Sequence, residues 1–135
     1  MRTMLSMTVA LFLAGCGAGY QYVVDNYSGV TVELFEYLPP DGPRYVQLGD
    51  TTYDRAKTYR IFDKPEQSRL MITASIGDAA QIGFAQGLTK ISADHPILVY
   101  KDAAAAYLRS KGRECEVIDI GMIIQPQYEA RYKCK

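Results

Sequence analysis

The first part of the chain carries the alternation that is typical of β-strands. Tyr20 to Asp25 and Val30 to Leu38 are rich in β-branched and aromatic residues, and Asn26 to Gly29 lies between them as a predicted hairpin loop. In the second segment the apolar positions point one way and the polar positions the other: Val30, Val32 and Leu34 against Thr31 and Glu33. This alternation predicts a half-buried strand.

Further short strands follow this region. Pro39 to Pro43 breaks the alternation and predicts an exposed turn, and Arg44 to Leu48 predicts a short strand after it. Thr58 to Phe62 and Arg69 to Ser75 predict the two strands of a second hairpin. Thr51 to Lys57 fits neither the strand pattern nor the helix pattern clearly, so its structure stays open.

Two segments show helical spacing. Ala79 to Leu88 follows Asp78, which can cap a helix, and carries a loose apolar stripe. The second segment runs from Pro96 to about Lys111, since proline suits the first turn and Gly112 suits the end of a helix. Its predicted buried face consists of Ile97, Tyr100, Ala104, Tyr107 and Leu108.

The C-terminal segment returns to the period of a strand. Apolar residues alternate with charged ones from Tyr128 to Cys134, and Glu114 to Ile120 is the predicted partner strand. The predicted fold class is therefore α+β, with antiparallel strands followed by two helices and a C-terminal, disulfide-linked β-hairpin.

Composition and charge narrow the class of protein. The chain has 135 residues, of which 48% are hydrophobic and 22% are charged, and this balance excludes a wholly disordered chain. Its 15 basic and 15 acidic residues cancel, which argues against a nucleic-acid partner. Neither an internal repeat nor a second linker divides residues 20–135, so we expect a single domain there.

The N-terminus has the layout of an export signal. Arg2 supplies a positive start, and the apolar run from Met4 to Ala14 follows it. As a helix these residues span roughly 16 Å, at about 1.5 Å each. The hydrocarbon core of a bilayer is about 30 Å thick, so the run has the length of a signal-peptide apolar region and is too short for a stable transmembrane helix.

The end of this apolar run is more specific. The sequence Leu13-Ala14-Gly15-Cys16 resembles the lipobox of bacterial lipoproteins. The resemblance implies that the Cys16 sulfur receives a diacylglycerol, that signal peptidase II cleaves before Cys16, and that the new amino group is acylated. Two or three acyl chains anchor a protein stably to a membrane.

The resemblance also predicts how the chain is divided and where it resides. Residues 1–15 are the predicted signal peptide, residues 16–19 the lipidated cysteine with a short tether, and residues 20–135 the domain. In the enterobacterial sorting rule an aspartate after the cysteine retains a lipoprotein at the inner membrane. Gly17 follows Cys16 here, so we expect a cell-envelope protein at the outer membrane that faces the periplasm.

The remaining cysteines form an even pair in an exported, oxidising compartment. If Cys115 lies opposite Cys134 in an antiparallel hairpin, then Glu116 lies opposite Lys133 and Val117 opposite Tyr132. This register places opposite charges on one face and apolar groups on the other, which favours a structural disulfide. The alternative, a redox-active pair, is more often spaced Cys-x-x-Cys.

Catalytic and metal-binding patterns have little support in the sequence. Ser92, Asp94 and His95 are the residue types of a catalytic triad, but they are too close along one loop to reach its geometry unaided. A single histidine beside a paired set of cysteines does not suit a zinc site. We expect no catalytic residue, no metal site and no cofactor.

Two sets of residues are candidates for an interaction surface. Gly83 and Gly87 have a spacing that lets a helix approach another surface closely, either the sheet of the domain, the membrane surface or a partner protein. Ile118 and Ile120 would share the face of Glu116 in a regular strand, where either a helix covers them or a partner binds.

The sequence therefore predicts a lipid-anchored envelope lipoprotein with a non-catalytic binding, scaffolding or assembly role. Its expected partners are the membrane, through the lipid anchor, and a protein of the cell envelope. The alternatives are a small periplasmic inhibitor or immunity-type lipoprotein, with Pro39 to Pro43 as the inserting loop, and a hydrolase whose site has no familiar motif.

Overall fold

The computed structural model describes residues 17–75 and 96–135, which form two helices and seven strands. Helix α1 covers residues 17–27, and helix α2 covers Pro96–Ser110. The strands are β1 Val32–Tyr37, β2 Tyr45–Leu48, β3 Thr51–Asp54, β4 Lys57–Lys64, β5 Arg69–Ala74, β6 Cys115–Ile124 and β7 Gln127–Cys134.

Five of the strands form one antiparallel sheet in the order β1-β4-β5-β7-β6. The strands β2 and β3 pair only with each other, as a small hairpin inserted between β1 and β4. These antiparallel sheets and helices confirm the predicted α+β class. The segment Ala79 to Leu88, which was predicted as a helix, lies outside the described residues.

The core lies between helix α2 and one face of the five-stranded sheet, here called the α2 face. Tyr100, Ala104, Tyr107 and Leu108 are buried on the helix, which confirms four of the five positions predicted for its inner face. On the strands the same cluster contains Tyr59, Ile61, Leu70, Ile72, Ala74, Val117, Ala130 and Tyr132. Aromatic rings meet edge to face at 5.7 Å between Phe35 and Tyr107, a preferred geometry for such pairs.

The second hairpin and helix α2 follow the sequence predictions closely. Strands β4 and β5 pair antiparallel, joined by a short 3-10 helix at Pro65–Gln67. Gly112 ends helix α2 with a φ of 70°, a left-handed conformation that glycine adopts without steric cost. Thr51 to Lys57, the segment left open, forms β3 and leads into β4.

The prediction of a strand from Tyr20 to Asp25 is wrong, because these residues belong to helix α1. Residues 17–19, predicted as a tether, are helical as well. The β-branched and aromatic residues of this segment favour a strand locally, but tertiary packing overrides that propensity. The residues that this helix buries recur every three or four positions, as a helix requires.

The alternation in strand β1 is real, but the apolar positions point outward. Leu34 is 74% exposed, whereas Phe35 and Tyr37 are packed against the core. Glu33 shares the inward face and accepts hydrogen bonds from Tyr107 and Lys111. The side of β1 that faces helix α2 therefore carries Glu33, Phe35 and Tyr37, and Val32 and Leu34 lie on the other side.

The C-terminal hairpin has the predicted register. Cys115 lies opposite Cys134, and the two are joined by a disulfide, with a Cα–Cα distance of 3.9 Å. Glu116 faces Lys133, and Val117 faces Tyr132. The alternation of charged and apolar residues therefore specified this pairing correctly.

The expectation that Ile118 and Ile120 share one face is wrong. A bulge interrupts the pairing between Val117 and Asp119, so Ile120 lies opposite Ala130 and packs against the core. A bulge inserts one extra residue into one strand and thereby reverses the faces of the residues beyond it. Ile118 remains 60% exposed.

Candidate functional site

Helix α1 packs on the sheet face opposite helix α2, here called the α1 face. Its partly or fully buried residues recur every three or four positions, and the residues between them are exposed. The buried stripe consists of Gly19, Tyr22, Val23, Asn26 and Tyr27. This stripe brings two phenol groups and an amide onto the middle of the sheet.

A buried carboxylate receives the two phenols. Glu129 of strand β7 is 9% exposed, and its Oε2 accepts hydrogen bonds from Tyr27 Oη at 2.7 Å and Tyr22 Oη at 2.8 Å. Arg69 Nη1 lies 3.5 Å from the same oxygen, and Arg131 Nε lies 3.7 Å from Glu129 Oε1. The carboxylate is therefore paired with positive charge and hydrogen-bonded, as a buried charge requires.

The arginine links the carboxylate to the end of helix α1. Arg69 donates from Nη1 to Tyr22 Oη and from Nη2 to Asn26 Oδ1, both at 2.8 Å. Lys64 Nζ donates to the Asn26 carbonyl oxygen, also at 2.8 Å. We call Tyr22, Asn26, Tyr27, Arg69 and Glu129 the Glu129 cluster.

The phenols of this cluster remain hydrogen-bond donors throughout the neutral pH range. Burial raises the pKa of Tyr27 far above its ordinary value, and the hydrogen bond to the Glu129 carboxylate raises it further. The pKa of Tyr22 is raised for the same reasons. Since each polar group of the cluster is bonded to another, the arrangement is suited to holding helix α1 on the sheet.

The beginning of helix α1 lies against the turn that joins β6 and β7. A Cβ atom placed on Gly19 would lie 3.0 Å from the carbonyl oxygen of Ile123 and 3.2 Å from Cβ of Ile124. These distances are tighter than ordinary van der Waals contacts, so a side chain at position 19 fits only if Ile123 and Ile124 move by a few tenths of an ångström. Gly17, two residues earlier, faces open space.

A surface cleft lies at the opposite end of the sheet, around the disulfide. Its volume is about 690 Å³, and its lining is mostly charged: Arg109, Gly112, Arg113, Glu114, Cys115, Glu116, Lys133, Cys134 and Lys135. Four of these side chains are basic and two are acidic. We call this the disulfide cleft; its chemistry suits a partner that presents carboxylate or phosphate groups.

One wall of the cleft is held by an ion pair with a buried tyrosine. Arg113 forms a salt bridge with Asp63, and Tyr132 Oη donates to Asp63 Oδ1 at 2.8 Å. Burial raises the pKa of Tyr132 to about 12, assisted by this hydrogen bond. Asp63 therefore fixes the orientation of the Arg113 guanidinium. Lys135, in contrast, is exposed, and its Nζ makes only a long contact of 3.8 Å with Glu114 Oε2.

The predicted site residues are distributed as follows. Cys16, Gly83, Gly87 and the Ser92–His95 loop lie outside the described residues. Cys115 and Cys134 form a disulfide at the cleft, and Ile118 is exposed on β6. Within residues 17–75 and 96–135, three or more potential metal ligands are nowhere grouped closely enough to hold an ion.

The Glu129 cluster escaped the sequence analysis. The predicted strand and loop over residues 20–29 place Tyr22 and Tyr27 in different elements, which hides the helical face that they share with Gly19 and Asn26. The spacing of the stripe was the available signal, whereas the partner positions Arg69 and Glu129 depend on strand pairing between β5 and β7.

The comparisons with known proteins give no relative from which a role could be transferred. The chain matches no protein-family model, no curated protein and no solved structure. In the part of the chain that the structure describes, neither helix has the length and apolar character needed to cross a membrane.

Proposed function

We propose that this protein is a lipoprotein of the bacterial cell envelope, anchored by acyl chains on Cys16. The domain acts as a non-catalytic binding or scaffolding module at the membrane surface. In this proposal the membrane is the outer membrane, and the domain faces the periplasm. The observation that carries the proposal is the Leu13-Ala14-Gly15-Cys16 run at the end of a short apolar segment.

The structure adds a physical reason why an anchor at Cys16 would affect the whole domain. Residue 17 already belongs to helix α1, which is clamped to the sheet by the Glu129 cluster. An acylated Cys16 is thus one peptide bond from a rigid element. This arrangement supports a domain held close to the lipid surface.

A binding role is supported by the disulfide cleft. Its basic side chains lie on the C-terminal hairpin and the end of helix α2, and the disulfide joins the two strands beside them. Near the cleft, Tyr132 donates a hydrogen bond to Asp63, and Asp63 forms a salt bridge with Arg113. These contacts hold the side chain of Arg113 in place at the cleft wall. A partner with acidic groups fits this surface by charge.

Processing at Cys16 is tested with the Cys16→Ser variant in a bacterial host. We expect the variant to remain an unprocessed precursor without incorporation of labelled fatty acid, whereas the parent protein is shortened and labelled. The Cys115→Ser variant is the matched control, because it also lacks one cysteine but keeps the lipobox. Normal maturation of Cys16→Ser would contradict the proposal.

The binding role is tested by cross-linking in cells, followed by mass spectrometry of the captured proteins. We expect an envelope protein that is captured by the parent and lost when Lys133 and Lys135 are both changed to Glu. Lys101→Glu, at a half-buried lysine of helix α2 that does not line the cleft, provides the control substitution. Loss of function in His95→Ala with normal folding would instead favour a hydrolase.

A further inference from the structure

Several parts of the molecule meet at one end of the five-stranded sheet. The first turn of helix α1 lies against Ile123 and Ile124. The β6–β7 turn, the end of β5 and the start of β4 share this end, because Thr73 pairs with Gln127 and Tyr59 pairs with Ala74. We call residues 17–20 and 122–127 together the anchor end.

Exposed apolar side chains occur at this end. Tyr20 is 66% exposed on the first turn of helix α1, and Met122 is 58% exposed on β6, just before the turn. The β2–β3 hairpin departs from the same end, since it is inserted between Tyr37 and Lys57, which pair with each other. On that hairpin Tyr45 and Leu48 are exposed as well.

The position of Cys16 indicates what covers these side chains. Gly19 is three positions after Cys16 in the sequence, and even a fully extended chain of that length reaches only about 10 Å. Acyl chains on Cys16 would therefore enter the bilayer within about 10 Å of the β6–β7 turn. Tyrosine is favoured at the headgroup level of membranes, where its ring is buried and its hydroxyl stays hydrated.

We propose that the anchor end rests on the lipid surface, with Tyr20 and Met122 in the headgroup region. This inference rests on the proposed lipidation of Cys16 and goes beyond it, because an anchor alone does not select an orientation. In this proposal a lipid surface covers Tyr20 and Met122. A protein partner at the anchor end would instead leave their emission unchanged until envelope proteins are added.

The proposal places the disulfide cleft away from the membrane. Cys115 and Ile124 are the two ends of strand β6, which has 10 residues. At about 3.3 Å per residue the strand spans roughly 30 Å. The cleft would then be presented to the periplasm, where it is accessible to a soluble partner.

The chain contains no tryptophan, so a single introduced tryptophan reports on its own surroundings. The variants Tyr20→Trp and Met122→Trp place the reporter at the anchor end. Leu34→Trp and Glu116→Trp place it at exposed positions elsewhere on the sheet. Each variant is produced from the full chain, and the mature, lipidated protein is reconstituted in vesicles of phosphatidylethanolamine and phosphatidylglycerol, with and without lipids brominated on their acyl chains.

We expect emission from Tyr20→Trp and Met122→Trp to shift to shorter wavelength and to lose intensity with brominated lipids. Emission from the two control variants should change little in either respect. Equal quenching at all four positions, or quenching at the controls alone, would overturn the orientation. So would unquenched emission from the anchor end in vesicles, including the case in which it shifts only when envelope proteins are added.

Two further measurements separate this proposal from the lipidation on which it rests. Mass spectrometry of each variant detects the acylated Cys16, and flotation detects vesicle association. An acylated, vesicle-bound protein without quenching at the anchor end refutes the orientation alone. A protein without acyl chains refutes the proposed anchor. Circular dichroism checks that each variant is folded. The Tyr20→Trp and Met122→Trp variants test the same orientation from two different elements, so a folding defect in one leaves the other as a test.

Discussion

Individual side chains of the Glu129 cluster explain how a polar group can lie between helix α1 and the sheet. Tyr27 is only 2% exposed, and its hydroxyl donates to a carboxylate that is nearly as buried. A hydrogen bond to a charged, desolvated acceptor is worth more than a neutral bond at the surface.

The Tyr27→Phe substitution should therefore destabilise the protein. It keeps the ring and removes the hydroxyl, and we expect the free energy of unfolding to fall by about 1–3 kcal/mol. The measurement is urea denaturation of the purified protein. Tyr45→Phe is the matched control, because Tyr45 is exposed and should change stability little. Equal effects of the two substitutions would argue against the cluster as the clamp of helix α1.

Stability should decrease in alkaline solution because of the buried tyrosines. The folded-state pKa of Tyr132 is about 12, above its ordinary value of 10.0. Below pH 10 the phenol is protonated in both states, so its contribution is fully present. Between these values the unfolded chain releases a proton that the folded protein retains, and stability falls by up to about 1.4 kcal/mol per pH unit for this group.

The Tyr132→Phe variant tests this effect. Urea midpoints measured from neutral pH to about pH 12 should decline less steeply for the variant than for the parent. The reason is that unfolding of the variant releases about one proton fewer in this range. Tyr22, Tyr27, Tyr100 and Tyr107 also have raised pKa values, so part of the decline should persist. An unchanged slope in the variant would show that Tyr132 does not retain its proton in the folded state.

At the scale of elements, helix α1 is the part whose placement matters most for the proposed function. It is held at one end by the Glu129 cluster and at the other by close contact between Gly19 and the β6–β7 turn. If Cys16 is acylated as proposed, these two contacts connect the anchor to the sheet.

The variants Gly19→Ala and Gly17→Ala distinguish close packing from helix propensity. Alanine is the better helix former by about 1 kcal/mol, although the gain is smaller near a helix end. Only at position 19 does the added methyl meet another element, and we expect Gly19→Ala to be less stable than Gly17→Ala by about 1–3 kcal/mol. Thermal or urea unfolding provides the comparison. If Gly19→Ala is as stable as Gly17→Ala, helix α1 does not pack tightly at position 19.

At the scale of the whole molecule, two helices cover opposite faces of one antiparallel sheet. Helix α2 covers the apolar face, whereas helix α1 covers a face that contains Met71 together with Arg69 and Glu129. The domain therefore includes helix α1, and residues 17–19, predicted as a tether, are part of that helix.

Truncation should separate the signal region from the domain at this boundary. A chain that begins at Gly17 should fold, form the Cys115–Cys134 bond and unfold cooperatively. A chain that begins at Val30 lacks helix α1 and exposes Met71, so we expect a lower unfolding midpoint and a tendency to aggregate. Circular dichroism and size-exclusion chromatography compare the two. Equal stability would mean that helix α1 is not part of the folded unit.

Local patterns were sufficient for the parts of the fold that depend on neighbours in the chain. The hairpin of β6 and β7 combines alternation with a cysteine at each outer end, so one register satisfies both charge pairing and the disulfide. Helix α2 has proline at its start, glycine after its end and a regular apolar face. These signals depend on periods of two and 3.6 residues, which are visible in the sequence.

Other features required contacts between distant segments. Residues 20–25 have strand composition, but their helix is stabilised by Arg69 and Glu129, which lie far away in the sequence. The bulge that turns Ile120 toward the core is a property of strand pairing and leaves no mark in the alternation itself.

The sequence by itself determined the α+β class, the register of the C-terminal hairpin and the extent of helix α2, because each follows from residues close together in the chain. The lipobox resemblance likewise rests on four consecutive residues. Only the tertiary structure decided that residues 17–27 form a helix and that the carboxylate of Glu129 holds it. The same is true of the closeness of Gly19 to the β6–β7 turn. The physical reason is that burial and charge pairing between distant segments outweigh local propensity, and neither is encoded in any one segment.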